Sequence, residues 1–495
     1  VGYTTMIEFG EWLPDQSDLG NSGVLEAKNV LPSIRGYVPM KSLAQISGVA
    51  DNYIRGMFAT RKQDGTVQLF AGDSAKLYRY ASADSDLDSV STSGNYTLGT
   101  EDVWKFVQFG NSLIAAGGHN QVLQEFNIES SSNFDPISGA PAAKHIAVVR
   151  DFVVTGNVKY SGNTHSDRIY FSAINDPTDW TIGTNQTDIQ TIPDKGQITG
   201  LVGGNVGVVL LQKGIARIEY VGSPIIFSVE MIETTHGCDL SNSVVALGTY
   251  AIFYLSPDGF FMFDGQRSIP IGSEKVDTFF YDDLNPAFTH RLTAAIDPQN
   301  QVVMWSYPSI ASTSGDPDRM LAYNYAINKW SLIELDHQSL GTILIPGSTL
   351  EELDNINSSI DALGTSLDSP LFKGDSFTLA ASKDKKIHTF TGTPLSATVT
   401  TREFEIAPMR TSVINKVIPY VTAKNPAVQP TLSVSVGSRS KQLNDVTFTS
   451  ASSLSDDNFC NVRSHGRYHR VRVETSGDFR YLLGCDIEGA TLGKR

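Results

Sequence analysis

The tightest cluster of chemistry-bearing side chains in this 495-residue chain is His236-Gly237-Cys238-Asp239. An imidazole, a thiol and a carboxylate this close could form a nucleophilic dyad or half of a metal site. No further ligands stand at a metal spacing, so the segment reads as a structural turn. Cys460 with His465 and His469 offers a second grouping. An i, i+4 histidine pair converges only on a helix, and Gly466 with the alternating residues after it denies one. With Cys485 the cysteines number three, and they give neither a CxxC pair nor a disulfide framework.

Asp84-Ser85-Asp86-Leu87-Asp88 opens like a calcium loop, but Ser89 replaces the sixth-position glycine and Asn95 the twelfth-position glutamate. It reads as a solvated loop. Gly200, Gly203, Gly204 and Gly207 have the wrong spacing for a dinucleotide cradle and fall within a strand, turn and strand. Glycoside cleavage needs two acids facing each other across a sugar. Asp282-Asp283 would point to opposite faces of a strand, and Ser256-Pro257-Asp258-Gly259 lacks the Thr-Trp continuation of the sialidase turn. There is no Walker loop, GxSxG elbow or HExxH. No catalytic, cofactor-binding or metal residue is assigned. Acids gathered from distant segments leave no local signature, so a carbohydrate-binding or glycan-cleaving protein stands as the alternative reading.

The elements that would position any such site are predicted to be strands. Charged residues are 18% of the chain, apolar residues 40%, and glycines number 42, which suits short strands and turns better than helices. The best apolar run, Val206 to Leu211, is far shorter than the ~20 residues that cross a bilayer. Val1 to Glu8 has neither the basic patch nor the apolar stretch of a signal peptide, so a cytoplasmic origin is expected. A net charge of −15 argues against gripping nucleic acid by phosphate neutralisation.

Seven units of short strand, strongly apolar strand and aromatic-rich strand begin near residues 54, 103, 144, 197, 242, 291 and 338. Their spacing, about 40 to 50 residues, is the period of a β-propeller blade. One small sheet cannot bury both its faces, whereas sheets packed radially bury each other. Unit seven is the weakest, so six blades also fit, and a run of β-sandwich hairpins is the competing architecture. Within unit seven, Leu350, Leu353, Ile356, Ile360, Leu363 and Leu367 keep a helical period, which predicts one amphipathic helix over 349–369. Beyond Thr401 the residues alternate like half-buried antiparallel strands. The chain therefore divides into an N-terminal arm with first connecting strands (1–53), a β-propeller (54–401) and a C-terminal antiparallel β domain (402–495).

Several stretches resemble the tail nozzle family of short-tailed bacteriophages, also called tubular tail protein B-like or packaged-DNA stabilisation proteins. They include Phe9-Gly10-Glu11-Trp12-Leu13-Pro14-Asp15, Ala27-Lys28-Asn29-Val30-Leu31-Pro32 and Gly36-Tyr37-Val38-Pro39. Inner matches are Arg168 to Ala173 with Asp176-Pro177-Thr178-Asp179-Trp180, Ile271-Gly272 with Glu274-Lys275-Val276-Asp277, and Tyr323-Asn324-Tyr325 with Asn328-Lys329-Trp330. Arg467-Tyr468-His469-Arg470 matches near the end. The resemblance implies a non-enzymatic virion protein, assembled in the host cytoplasm into the virion tail. It implies a homohexamer below the head–tail adaptor ring, with tail fibres or a tail needle as further partners. DNA would pass through the lumen without sequence-specific binding, and the resemblance does not identify the gate residues. Six copies at −15 each would give an acidic wall from which phosphates slide.

Overall fold

A computed structural model describes residues 2–92, 94–345 and 377–492. The helix expected over 349–369 lies outside the described residues. The described residues are nearly all β. Seven small antiparallel sheets follow one another along 57–89, 105–136, 142–191, 198–233, 245–270, 293–334 and 339–389, which we number as blades one to seven. The second strand of each is the most apolar because a neighbouring blade covers each of its faces. Gly207–Leu211 and Val302–Tyr307 are buried at every residue, whereas the outer strand Asp86–Ser89 buries only Leu87.

The innermost strands touch in sequence from Met57–Arg61 through Lys105–Phe109, Ala142–Val149 and Ile198–Val202. The turn Ser241–Ser243 carries the contact on to Thr293–Asp297, then Ser339–Leu344, which meets Met57–Arg61 again. The ring is closed, with seven blades.

Two blades depart from the repeat. Blade seven takes its outer strand from Ala44–Gln45, which precedes blade one, with Thr389 opposite Ala44 and His388 opposite Gln45. The two ends of the ring are thereby stitched together, and unit seven reads weakly because part of it is supplied from elsewhere. In unit two, the chain does not turn straight back at Gly117-Gly118. Gly118–Val122 crosses to the axial edge of blade three and pairs with Ala142–Val149, and the chain returns as Gln124–Asn127. Gly118 permits this with φ +77°, and the Asp102 carboxylate fills the space a Cβ would need.

The opening and closing residues interleave strand by strand. Val24–Lys28 lies parallel to the last strand of blade six, Lys329–Glu334, and antiparallel to Ala397–Thr401. The sheet of blade six thus runs on through Tyr468–Ser476 and Thr431–Arg439. A second sheet joins Val30–Ser33, Gly36–Pro39, Phe479–Thr491, Ser412–Ala423 and Cys460–Gly466, with Gly2–Glu8 along Phe479–Thr491. Val434, Val471 and Val473 of one sheet share a core with Ile414, Val417 and Leu482 of the other, and that core continues to Trp305 and Trp330 of blade six.

Candidate functional site

The sequence candidates fall in separate places. His236 to Asp239 forms the turn between blades four and five: Cys238 is buried, its thiol donates to the Leu240 carbonyl at 3.3 Å, and burial pushes it up to about 11. His236 stacks on Phe261 with ring centroids 4.6 Å apart. Cys460 and His465 lie on one strand, with Cys460 buried and His465 exposed, while His469 lies on the next and hydrogen-bonds Ser412 Oγ at 2.8 Å. Burial draws the His469 imidazole down to about 4. Asp84 to Asp88 spans a hairpin turn and the strand after it, with Asp84 Oδ1 accepting the Asp86 N–H at 3.2 Å. Gly203 and Gly204 turn between the first two strands of blade four.

Asp282 and Asp283 are not on a strand. They end the short helix α1, Asp277–Asp283. The strand expectation failed because Phe279 and Phe280 leave the alternating pattern: Phe280 is fully buried against Phe260 and Tyr307. Asp283 accepts from Tyr307 at 2.8 Å and pairs with Arg319 at 2.5 Å. Among the described residues no three His, Cys, Asp or Glu side chains converge as a metal would require.

What the structure does bring together is a joint between the arm and blades five and six. Glu11 Oε1 meets Lys275 Nζ at 2.7 Å, and the same ammonium donates to the Asn328 carbonyl at 3.0 Å. Asp15 accepts the Thr278 and Phe279 N–H groups at 2.9 and 2.8 Å, capping α1 from far along the chain. Trp12 packs edge-on to Phe279, with centroids 5.1 Å apart. Asn29 Oδ1 accepts the Glu334 N–H at 2.8 Å, Ser331 Oγ donates to the Val30 carbonyl at 2.6 Å, and Trp330 Nε1 donates to Ile271 O at 3.0 Å. Farther out, fully buried Glu403 pairs with Arg439 at 2.5 Å and Arg470 at 3.5 Å, and Arg470 also pairs with Asp18 of the arm.

A second feature lies at the propeller axis, where the inner strands begin. Segments of blades one, two, six and seven and the turn at 241–244 surround a cavity of about 280 Å³. Beside it, sharing the walls at Asp102, Lys105 and Asn242, is one of about 200 Å³ reaching Lys144, His145 and Asn157. Asp102 pairs with Lys144 at 3.4 Å, and Arg55 donates to the Gly99 carbonyl at 2.8 Å. Lys105 Nζ donates to His145 Nδ1 at 3.0 Å. One face of Lys105 meets the cavity, yet the protein packed around the rest draws its ammonium down to about 8. Burial and the Lys105 charge hold His145 well below the ordinary imidazole range. The arrangement offers charge and hydrogen bonding. Sequence reasoning missed it because each wall comes from a different blade, and no local pattern marks it.

No protein-family model and no curated protein matches the chain. Among solved structures it is similar to the Pan2 WD40 domain of Neurospora crassa, at 7% identity over 73% of this chain and 98% of that one, TM-score 0.38. It is also similar to apo AztD from Citrobacter koseri, at 13% identity over 62% and 93%, TM-score 0.31. A third likeness is to a putative 6-phosphogluconolactonase from Bacteroides uniformis, at 10% identity over 61% and 89%, TM-score 0.36. The protein is an all-β propeller, defined by its own closed ring of sheets.

Proposed function

We propose that this chain is a non-enzymatic virion protein, the subunit of a tail nozzle in a short-tailed bacteriophage. Six copies form a ring below the head–tail adaptor, extend the DNA channel, retain the packaged DNA and let it pass on ejection. One observation carries the reading. The stretches that resemble the nozzle family at residues 9–15, 27–32, 36–39, 271–277 and 323–330 lie far apart in sequence but meet at the joint that ties the arm to blades five and six. A part that must bear pressure from packaged DNA benefits from such a joint, since long-range cross-ties make the propeller and the flanking sheets move as one body. The acidic balance supports it further, because a negatively charged wall repels phosphates.

The reading is tested by mixing the purified chain with adaptor rings and weighing the products by native mass spectrometry. Six copies per adaptor ring are expected. A chain that stays single while the adaptor rings remain bare contradicts the proposal.

A further inference from the structure

At one end of the C-terminal sheets, where Cys460–Gly466 turns into Tyr468–Ser476, apolar side chains stand out in water on turns built to hold them there. The Arg467 N–H donates to the Arg439 carbonyl and Ser412 pairs with Gly466, which brings two turns to this end. On one of them Leu443 is 99% exposed. Arg439 Nη1 donates to the Gln442 carbonyl at 2.5 Å and to the Asn444 carbonyl at 3.5 Å, so the turn is clasped on both sides of the leucine. On the other, Met409 is 73% exposed in a turn closed by the Arg410 N–H on the Ala407 carbonyl. Its φ is +58°, in the left-handed region that such a turn favours for Gly or Asn. Leu492, whose N–H donates to the Thr411 carbonyl, and Leu19, which shares an open hollow with Arg439 and Gln442, are exposed at the same end. Single exposed apolar residues are ordinary, but four from separate segments at one end, two of them on clasped or strained turns, define a contact surface.

The charge around them is positive, although the chain as a whole carries −15. Arg402, Arg410 and Lys441 are exposed and make no ion pair among the described residues. Of the nearby carboxylates, Glu403, Glu405 and Asp18 are engaged by Arg439, Arg467 and Arg470, which leaves Asp445. Salt screens charges over about 8–10 Å, so a partner at this end meets the local excess of cations and not the acidic propeller. Projecting apolar tips among cations suit a soft anionic surface: the tips enter the boundary between headgroups and acyl chains while Arg and Lys lie among the phosphates. A protein partner, a second copy included, would have to offer an apolar socket lined by carboxylates. The groove on this chain at Leu31, Ile34, Val38 and Ile327 is lined by none. We propose that this end of the C-terminal β domain docks on an anionic lipid surface. The inference is independent of the nozzle reading, since it rests on the surface of a single chain.

Flotation of the full chain with vesicles of equal parts phosphatidylglycerol and phosphatidylcholine tests this, with vesicles of phosphatidylcholine alone for comparison. Binding to the anionic vesicles is expected to be about tenfold tighter or more, and high salt should erase the difference. Leu443→Gln with Met409→Asn removes two apolar tips, while Asn keeps the left-handed turn; this pair should weaken binding about fivefold or more with the melting temperature held near that of the parent. Arg410→Gln with Lys441→Gln should remove the preference for phosphatidylglycerol. No flotation with the anionic vesicles, or equal flotation by the parent and the Leu443→Gln, Met409→Asn variant, would overturn the proposal. So would sedimentation showing that the chain instead pairs with a second copy through the same two side chains.

Discussion

Glu11 and Lys275 stand 264 positions apart in sequence, yet their side chains meet at 2.7 Å. The pair is partly buried, with side-chain exposures of 20% and 29%, and Lys275 also ties to the Asn328 carbonyl. Its electrostatic gain is modest, about 0.5–1 kcal/mol in a double-mutant cycle with Glu11→Gln and Lys275→Met. The larger effect is expected one turn along: Asp15→Ala removes the acceptor for two N–H groups of α1 and should cost about 1–2 kcal/mol in denaturant unfolding.

Glu403 is the buried member of a charge network in which Arg439 and Arg470 face it and Arg470 reaches Asp18. Glu403→Ala leaves the two guanidiniums without their buried partner and is expected to destabilise the chain by about 3–5 kcal/mol. Equilibrium urea unfolding measures it. A cost below about 1 kcal/mol would mean that the network contributes little.

Closure of the ring depends on a short strand. The Ile46 N–H donates to the Ile387 carbonyl at 2.9 Å, and the Ile387 N–H donates to Ser47 Oγ at 2.8 Å. Ile46→Pro removes one of these bonds and a buried side chain, for a loss of about 3 kcal/mol. Hydrogen exchange should speed up first in blade seven, at 377–389, and leave blades three and four protected.

Acid should unfold the protein through its histidines. His337, bonded to Ser306 Oγ at 2.5 Å, and His469 are each drawn down to about 4 by burial, and His145 is also lowered. An unfolded imidazole titrates near 6.5. Between pH 6.5 and 4 the unfolded state binds more protons, so this stability is present above pH 6.5 and lost as pH falls toward 4. Melting curves across that window should show the decline, and His469→Gln should make it shallower.

Asp277 acts in the opposite sense. Burial, with the Asp15 charge nearby, pushes its carboxyl up to about 6, while Oδ1 still accepts the Phe260 N–H at 3.1 Å. The folded state holds the proton more tightly, so this group favours folding below pH 4 and ceases to do so as pH rises through 6. Asp277→Asn keeps the acceptor without the charge. It should melt higher than the parent at pH 8 and gain no such advantage at pH 4.

The repeat was legible because each blade carries a buried, strongly apolar strand bounded by turn residues. Val206 to Leu211 and Val302 to Tyr307 are plain in the chain and prove to be the covered strands of blades four and six. Ala44–Gln45 was not, because two residues have no periodicity and their partner lies more than 340 positions away. The crossing at Gly118–Val122 was hidden as well, since nothing local says that its partner belongs to the next blade. α1 hid for a related reason: Asp15, which caps it, is 264 positions from Phe279. The axial cavity was illegible altogether, as Lys105, His145 and Asn157 become neighbours only when the blades close around the axis.

The proposed function is mechanical: six copies of this chain would ring a DNA channel. Cryo-electron microscopy of whole phage particles carrying the chain tests it most directly. The account predicts sixfold density beneath the head–tail adaptor into which six seven-bladed rings fit, with DNA on the shared axis. Placement of the chain elsewhere in the particle, or as single copies away from the DNA path, would contradict it.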